Sequence, residues 1–516
     1  IRRSGTIIMV NRWGYDTLGR MKQMSSTGGT SVYAEYTYDA NSNPLTVTYG
    51  NGVQQTYTYN AGNLAEQISV SKDGASLLNR TYSYDYAGRQ LGFSDGGGTT
   101  FYEYDRLGRL TGELRSGTEP YERSYTYDSR GNRVSMLTSE SVVQYSYDAA
   151  NRLISSSEGI DERAYTWDGA GNMLTEVSNG TVSRQYSYNA ANQLVEAQTE
   201  RGRYGYAYHP GGQRKAKLAY DTSGAVSESS EYVWSGGELI LERSGGADTR
   251  YYYGLDLVAG VSGASLNYYS HDAHGSVLLL TDAHVVTVNA GADYSYDAFG
   301  NILTYTGNDN PFLYSGEYYD AETGNYYLRA RYYTPGTGRF TQRDTHWNPA
   351  NMIYGDNPVR NAGSSMLPQI SAIGQSGNRY AYCLNNPVGY VDSSGEFAIS
   401  LSVFVVGIVC TVAAGTITLL CFDDIVSGIS RDLYVPGFVQ KPLMAEERKT
   451  IPDNPSIEGH IFNKGEEGHV EDTPENRKLL EDTANDPDNY YGRDMWGSDW
   501  YAEELEDGRQ VWVETR

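Results

Sequence analysis

The stretch QYSYDAANRLISS, residues 144–156, decides the fold because near-copies of it lie on both sides. SYTYDSRGNRVSM precedes it at 124–136, while AYTWDGAGNMLTEV at 164–177 and QYSYNAANQLVEA at 185–197 follow it. The alternation Y-x-Y puts both rings on one face of a strand. The segment D-x-x-G/N is typical of a tight turn, in which Asp accepts backbone N–H groups and Gly or Asn adopts a positive φ. One unit therefore predicts a β-hairpin.

The unit recurs with a nearly constant period. Its second aromatic residue returns every 20 to 25 residues between Tyr15 and Tyr208. Such a period indicates a repeat architecture, and hairpins in series predict one long antiparallel sheet. Two units would also fill one blade of a β-propeller, which needs about forty residues. The period alone does not separate these two folds.

These phrases resemble the YD repeats of the Rhs family over roughly residues 13–310. In that family the repeats coil a β-sheet into a hollow shell. The resemblance therefore implies a mainly β fold, with a spiral antiparallel shell over residues 1–312. A sheet that winds continuously exposes few edges, which reduces edge-to-edge aggregation. The many turn aspartates are expected to be architectural rather than catalytic.

Composition supports this interpretation and sets limits on function. The chain has 48 Tyr and 58 Gly against 10 Phe, which favours short strands and tight turns. A net charge of −24 argues against a surface that coats nucleic acid and suits a secreted or surface-exposed body. Three cysteines, Cys383, Cys410 and Cys421, do not make a disulfide framework. The opening IRRSGTIIMVNRWGYD predicts no signal peptide and falls inside a repeat, so we expect the C-terminal part of a longer polypeptide.

Residues 313–397 depart from the repeat and contain, in order, YYLRARYY, PGTGRF, an Asp, NRYAY, NNPV and DSSG. This succession resembles the Rhs-associated core domain. The resemblance implies a plug that closes the shell and acts as an intramolecular aspartic protease, cutting just past its last D-P-x-G-L. By motif position the carboxylates are Asp344 and Asp392, the accompanying basic residue is Arg331, and the cut lies near Glu396/Phe397. Two carboxylates that share one proton can activate water and protonate the leaving amide.

The core departs from the family pattern at several places. Thr345 and Ser393 follow the two aspartates, where the family usually has Pro, and Glu396 replaces the Leu ahead of the cut. Residues 345–377 also separate the two halves of the core more widely than in the shortest versions. Capping of a turn is therefore the alternative role for both aspartates.

The chain changes character after the core. Residues 399–422, ISLSVFVVGIVCTVAAGTITLLCF, carry no charge over 24 positions. As a helix this segment would measure about 36 Å, enough to cross a bilayer. It could span or help cargo cross a target membrane, it could be apolar chain kept inside the shell, or it could be a buried core helix. Of these we favour the translocation role for the segment, which we group with its linker as residues 398–445.

Residues 446–516 predict a compact α+β module. The stretch DTPENRKLLEDTANDP, 472–487, predicts a helix, with Thr473 as N-cap and Pro474 at the first helical position. The last residues, WYAEELEDGRQVWVETR, predict a hairpin that turns at Asp507-Gly508.

The module resembles a toxin domain at the tips of Rhs chains, usually taken to be a small ribonuclease. The candidates are His460, His469, Lys464 and Arg477, because RNA cleavage needs a base, an acid and cations for the phosphate. Solvated or capping histidines are the alternative. With 20 acidic and 8 basic side chains, the module is more acidic than most proteins that grip RNA, and it would suit a basic immunity protein. No ligand spacing supports a metal site, and no cofactor is predicted.

Two functions follow from these observations. The first is a polymorphic toxin, secreted or displayed at the cell surface, whose shell releases a C-terminal ribonuclease into the cytoplasm of competing bacteria. It implies a cognate immunity protein, an RNA substrate, a secretion apparatus and, through residues 399–422, a target-cell membrane. The second is a surface adhesion or structural repeat protein whose terminal module binds a partner without catalysis. Growth arrest by the terminal module inside bacteria would separate them.

Overall fold

The computed structural model describes residues 11–26, 32–284, 294–305, 310–360 and 366–401, five short strands outside these ranges, and residue 478. The chain divides into two compact units, Ile1–Leu419 and Leu420–Arg516, and each is described by itself.

One antiparallel sheet of 26 strands dominates the first unit, and each strand pairs with the next along the chain. Such continuous pairing decides against a propeller, whose blades are separate small sheets.

A two-stranded ribbon, β1 Arg2–Arg3 and β2 Thr6–Ile7, precedes the sheet. The sheet strands are β3 Arg12–Tyr15, β4 Met21–Ser25, β5 Val32–Tyr38, β6 Pro44–Tyr49, β7 Gln54–Tyr59, β8 Ala65–Lys72, β9 Ala75–Tyr84, β10 Gln90–Asp95, β11 Gly98–Tyr104, β12 Leu110–Gly117, β13 Tyr121–Tyr127, β14 Arg133–Thr138, β15 Val142–Tyr147, β16 Leu153–Glu158, β17 Asp161–Trp167, β18 Met173–Ser178, β19 Thr181–Tyr188, β20 Leu194–Thr199, β21 Gly202–Tyr208, β22 Arg214–Tyr220, β23 Val226–Ser235, β24 Glu238–Ser244, β25 Ala247–Tyr253, β26 Leu257–Ser262, β27 Ser265–His271 and β28 Val277–Asp282.

The predicted alternation of faces is confirmed along these strands. In β15 the Tyr145 ring is buried, Ser146 is exposed, and Tyr147 is half-buried on the same face as Tyr145. Each following turn takes the predicted positive φ at its fourth residue, for example 63° at Asn151 and 76° at Gly131.

The sheet winds until its first strands meet its last. Trp13 donates its indole N–H to the carbonyl of Tyr253 at 3.0 Å, and the rings of Tyr33 and Tyr252 lie 4.4 Å apart. This sheet is therefore a spiral shell with an inner face, as the resemblance implied.

The described residues between 294 and 401 pack inside this shell, and we call residues 313–397 the plug. Its strands and those beside it are β29 Ser295–Tyr296, β30 Ile302–Thr304, β31 Tyr318–Asp320, β32 Asn325–Leu328, β33 Arg331–Thr334, β34 Arg339–Phe340, β35 Tyr390–Val391 and β36 Ile399–Ser400, and its helix is α1 Ile370–Gly377. Strands β31 to β34 form one four-stranded sheet, while β29 pairs with β30 and β35 pairs with β36.

The plug packs on the inner face of the shell and seals one rim. Buried aromatic and aliphatic side chains of the shell, the plug and the segment just before the plug form common cores, in which Tyr232 meets Tyr318 and Tyr125 meets Phe299. The D-x-x-G/N turns that follow the Y-x-Y strands lie along one rim, because alternate turns of a meander share an edge, whereas the Asp221–Gly224 turn between β22 and β23 lies on the other rim. Plug side chains hydrogen-bond this rim through Asn385 to Gly131, Asn378 to Asn132, Tyr380 to Gly171, Gln342 to Asn192, and Arg329 to Gly237.

The second unit contains a three-stranded antiparallel sheet of β37 Tyr490–Arg493, β38 Asp499–Glu504 and β39 Gln510–Thr515. The two strands of the predicted terminal hairpin therefore pair. Its turn and most of the predicted helix 472–487 lie outside the described residues, although Lys478 is helical.

The predicted helix over 399–422 begins differently. Ile399–Ser400 form a strand against Tyr390–Val391, because their backbone groups complete hydrogen bonds of the plug. Residues 402–422 lie outside the described part of the chain. Among described residues, no helix has both the length and the apolar character that crossing a membrane requires.

Candidate self-cleavage site

The three residues proposed for self-cleavage meet inside the plug. Arg331 opens β33, Asp344 lies four residues beyond β34, and Asp392 follows β35 directly. One guanidinium nitrogen, Nη2 of Arg331, lies 3.0 Å from Oδ2 of Asp344 and 3.3 Å from Oδ2 of Asp392. The exposed fractions are 5% for Arg331, 4% for Asp344 and 3% for Asp392, so water barely screens this cluster.

Arg331 is fixed by further contacts that keep it between the two carboxylates. Its guanidinium carbon lies 3.5 Å from the centre of the Phe340 ring, which is a close cation–π contact. Its Nη1 donates to the carbonyl of Arg379 at 3.1 Å, and its Nε donates to the carbonyl of Gly395. The cation is therefore preorganised rather than free to follow either acid.

Each aspartate divides its two oxygens between two tasks. Oδ1 of Asp392 accepts the backbone N–H groups of Gly395 at 2.8 Å and Glu396 at 3.1 Å, while Oδ2 faces Arg331. Likewise, Oδ1 of Asp344 accepts the N–H of His346 at 2.8 Å. The turn-capping role therefore uses one oxygen of each aspartate and leaves the other oxygen facing Arg331.

Gly395 lets the turn approach the plug sheet this closely. Its φ is 73°, in the region that glycine adopts without strain. A Cβ atom at this position would lie 2.3 Å from the carbonyl oxygen of Leu328. Any side chain here would push the turn away from Arg331 and Asp392.

The surroundings change the proton affinity of both acids. Burial raises the pKa of Asp392 to about 6, because an ionised carboxylate loses its hydration there. The positive charge of Arg331 lowers this pKa and the negative charge of Asp344 raises it, and the two raising effects are the larger. Burial also raises the pKa of Asp344, against the opposing charge of Arg331. A proton can therefore reside on this pair closer to neutrality than on an ordinary aspartate, which is the condition for general acid–base chemistry.

The chain segment predicted to be cut lies beside this cluster. Glu396 is exposed and its N–H is held by Asp392. The ring of Phe397 lies 5.5 Å from that of His346, two residues beyond Asp344. Sequence reasoning did not single out His346, Phe340 or Arg379. The only signal was the aromatic-rich HW pair, which follows Asp344 after Thr345.

The other predicted site residues, His460, His469, Lys464 and Arg477, all lie outside the described residues. In the part of the chain that the structure describes, no group of three or more His, Cys, Asp or Glu side chains is arranged to hold a metal ion.

A continuous spiral sheet with one rim of Asp-capped turns, sealed from inside by an aromatic plug, defines a YD-repeat β-shell protein. The family model described as Teneurin YD-shell matches residues 94–362, and the chain belongs to that family.

Similar curated proteins are nucleases and a toxin by name. The tRNA3(Ser)-specific nuclease WapA of Bacillus spizizenii is 30% identical over 400 residues, covering 75% of this chain and 16% of that protein. The double-stranded DNA deaminase toxin A of Burkholderia cenocepacia is 26% identical over 325 residues, covering 55% of this chain and 22% of that protein. This chain thus spans only a small part of the relatives it matches.

Among solved structures, the TcdB2-TccC3-Cdc42 crystal structure is similar with a TM-score of 0.40 and 18% identity. The match covers 79% of this chain and 24% of that chain.

Proposed function

We propose that this chain is the shell-and-plug part of a Rhs-type polymorphic toxin that cuts itself between Glu396 and Phe397 and thereby frees a C-terminal effector. The observation that carries the proposal is the buried meeting of Asp344 and Asp392 on Arg331, next to the backbone of residues 395–397. A turn needs only one oxygen of each aspartate. The second pair of oxygens converges on one buried cation and so brings the two carboxyl groups together, and an aspartic protease requires two neighbouring carboxyl groups that share a proton.

The chemistry is hydrolysis with one proton shared by the two acids. The ionised carboxylate takes a proton from a water molecule, whose oxygen adds to the carbonyl carbon of Glu396. The protonated carboxyl then donates its proton to the amide nitrogen of Phe397, and the C–N bond breaks. The water is divided between a new carboxyl group on Glu396 and a new amino group on Phe397. Arg331 keeps one acid ionised while the other holds the proton.

The effector of this proposal is the module at residues 446–516, acting as a ribonuclease. Support comes from the nuclease names of the WapA relatives and from the residue types of the module. His460 and His469 would exchange protons with the 2′-hydroxyl and the leaving oxygen, while Lys464 and Arg477 would stabilise the phosphate. The acidic surface of the module fits a basic immunity protein as its partner in the producing cell.

Delivery completes the proposal. The shell would leave the producer through a secretion apparatus, as a secreted or surface-displayed protein. Residues 399–422 would then help the freed effector to cross the membrane of a competing bacterium and reach its cytoplasm.

The experiment produces the full chain in bacteria from an inducible promoter and follows three readouts: the mass of released fragments, growth, and the integrity of cellular RNA. The wild-type chain should release a fragment that begins at Phe397, stop growth and degrade RNA. Asp344→Asn and Asp392→Asn should leave the chain intact, whereas Asp221→Asn, at an exposed shell turn, should be cut like the wild type. His460→Ala with His469→Ala should release the fragment without loss of RNA.

In this experiment a different result would contradict each part of the proposal. A wild-type chain that stays intact would overturn self-cleavage. A released fragment that leaves RNA unharmed would overturn the ribonuclease, and unchanged RNA loss in the double histidine variant would overturn the residue assignment.

A further inference from the structure

The segment around the proposed cut is held firmly on its N-terminal side by the plug sheet. Three successive carbonyls accept hydrogen bonds from three successive residues: Ser393 from the Arg329 guanidinium at 2.8 Å, Ser394 from the backbone N–H of Ala330 at 3.1 Å, and Gly395 from the Arg331 guanidinium. This ladder ends one residue before the proposed scissile bond. It fixes residues 393–395 but places no restraint on the residues beyond the bond.

The C-terminal side of the bond is held by a different element, the insertion at residues 345–377. Gln375, on helix α1, accepts the N–H of Ala398 with Oε1 at 2.6 Å and donates Nε2 to the carbonyl of Ala398 at 3.3 Å. The same side chain therefore occupies both polar groups of one backbone residue. A strand partner pairs with an extended chain in this same two-bond manner.

A second contact from the insertion holds the first residue after the bond. The Phe397 ring lies 5.5 Å from the ring of His346, at an interplanar angle of 36°. His346 is itself fixed, with Nε2 2.8 Å from Oδ2 of Asp356 and the Trp347 ring set perpendicular to it at 4.9 Å.

The described residues of the insertion, 345–360 and 366–377, are braced by hydrogen bonds among themselves. Asn351 bridges it by donating to Oδ1 of Asp356 at 2.8 Å and to the carbonyl of His346 at 3.0 Å. Ser376, at the end of α1, donates to the carbonyl of Met352 at 2.9 Å. The two holding residues thus sit on one cross-linked body.

We infer that the insertion is a clamp for the leaving side of the cut, with Gln375 and His346 as positioning residues that align the Glu396–Phe397 bond with the two carboxylates. This inference rests on the proposed self-cleavage. A peptide bond held only on one side can swing out of line, and a misplacement of about 1 Å costs roughly a hundredfold in rate. The clamp supplies the second fixed point. His346 also selects a large aromatic side chain directly after the bond.

The test measures the rate of cutting and the exact bond cut. The full chain, carrying His460→Ala and His469→Ala so that the released module spares the RNA of the system, is synthesised in a cell-free translation system. Samples are quenched at intervals, and the N-terminus of the released fragment is sequenced. Gln375→Ala and His346→Ala should each slow cutting by about 10- to 100-fold, the effect of a small misalignment, and should spread the cut over neighbouring bonds. His346→Phe keeps a ring against Phe397 and should restore the single cut. Gln375→Glu keeps one of the two bonds and should lie between alanine and wild type.

Gln369→Ala is the matched control, because this glutamine precedes α1 on the same insertion and bonds only within it, to the carbonyl of Asn357. It should cut like the wild type. If Gln375→Ala and His346→Ala cut at the wild-type rate and at the single bond, the clamp is wrong while self-cleavage stands. If the wild-type chain stays whole, or Asp344→Asn is cut normally, it is the proposed function that fails. Slower cutting in Gln369→Ala as well would reduce both effects to general damage of the insertion and overturn the clamp.

Discussion

At the scale of single residues, Glu113 shows how much burial inside the shell changes the pKa of a carboxyl group. This residue of β12 has an exposed fraction of 1%. Its Oε1 accepts the N–H of Ala298 at 2.9 Å and the hydroxyl of Tyr121 at 2.8 Å, so it joins the shell to the loop after β29. Burial, together with the negative charge of Asp297, raises its pKa to about 8.

We predict that Glu113 makes the shell less stable as the pH rises. The unfolded chain releases the proton near the ordinary pKa of 4.5, and the folded chain releases it near 8. Between these values the folded state binds more protons, so the free energy of unfolding falls with increasing pH. Glu113→Gln mimics the protonated acid and should therefore gain stability over the wild type steadily from pH 5 to pH 8.5. Urea midpoints at several pH values measure this difference.

Glu122→Gln, on the exposed face of β13, is the control for this series. Its midpoint relative to the wild type should not follow that trend. Parallel curves for Glu113→Gln and the wild type would refute the raised pKa.

At the scale of elements, the repeated hairpin owes its shape to one aspartate in most of its turns. Oδ1 of Asp148 accepts the backbone N–H groups of Ala150 and Arg152, each at 2.9 Å, and Oδ2 pairs with Nε of Arg152 at 2.7 Å. Arg152 then donates Nη1 to the carbonyl of Asp168 in the next unit at 3.2 Å. The turn is thus closed within one unit and linked to its neighbour. Asn189 makes the same backbone bonds in a later unit, so the charge is dispensable there.

Asp148→Ala should lower the free energy of unfolding by about 1–2 kcal/mol, because two backbone donors lose their acceptor. Asp148→Asn should cost less than about 1 kcal/mol, since it keeps the amide oxygen that Asn189 uses. Chemical unfolding followed by tryptophan fluorescence gives both values. Equal losses in the two variants would mean that the ion pair to Arg152, and not the turn, carries the stabilisation.

At the scale of the whole molecule, a buried ion pair joins shell and plug. Nη1 of Arg214, on β22, lies 2.5 Å from Oδ2 of Asp320, on β31, and neither side chain is exposed at all. Four tyrosine rings, including Tyr232 and Tyr327, surround the guanidinium. Separating the plug from the shell would leave the Arg214 guanidinium among these rings without its counter-charge. The ion pair therefore favours the packed arrangement of plug and shell.

Asp320→Ala should destabilise the molecule by about 3–5 kcal/mol, because it leaves Arg214 buried without its counter-charge. The double variant Arg214→Met with Asp320→Leu should be less destabilised than this single variant, since the stranded guanidinium is gone and the nearby Lys217 keeps its second partner, Glu322. Arg203→Met, which breaks an exposed pair with Glu196, should cost less than about 1 kcal/mol. This ranking of the three variants by loss of stability is tested by measuring unfolding midpoints and the rate of proteolysis within the plug. A double variant worse than Asp320→Ala would contradict it.

The local part of the fold was predictable from the sequence because its causes are local. Alternating aromatics such as Tyr145 and Tyr147 fix the face of a strand, and Asp148 with Asn151 fixes the next turn, all within seven residues. Repetition of the unit then predicts a long antiparallel meander. The resemblance of the core motifs pointed to Asp344 and Asp392, and the structure brings their carboxylates to one guanidinium nitrogen.

By itself, then, the sequence determined the repeating hairpin, the order of shell and plug, and the residue types of the candidate site. Only the tertiary structure decided that the hairpins form one continuous wound sheet, that Glu113 is buried beside Asp297, and that Gln375 grips the chain at Ala398. The physical reason is distance along the chain. Turns and strand faces depend on neighbours a few residues away, whereas burial, altered proton affinity and clamping depend on side chains that only folding brings together.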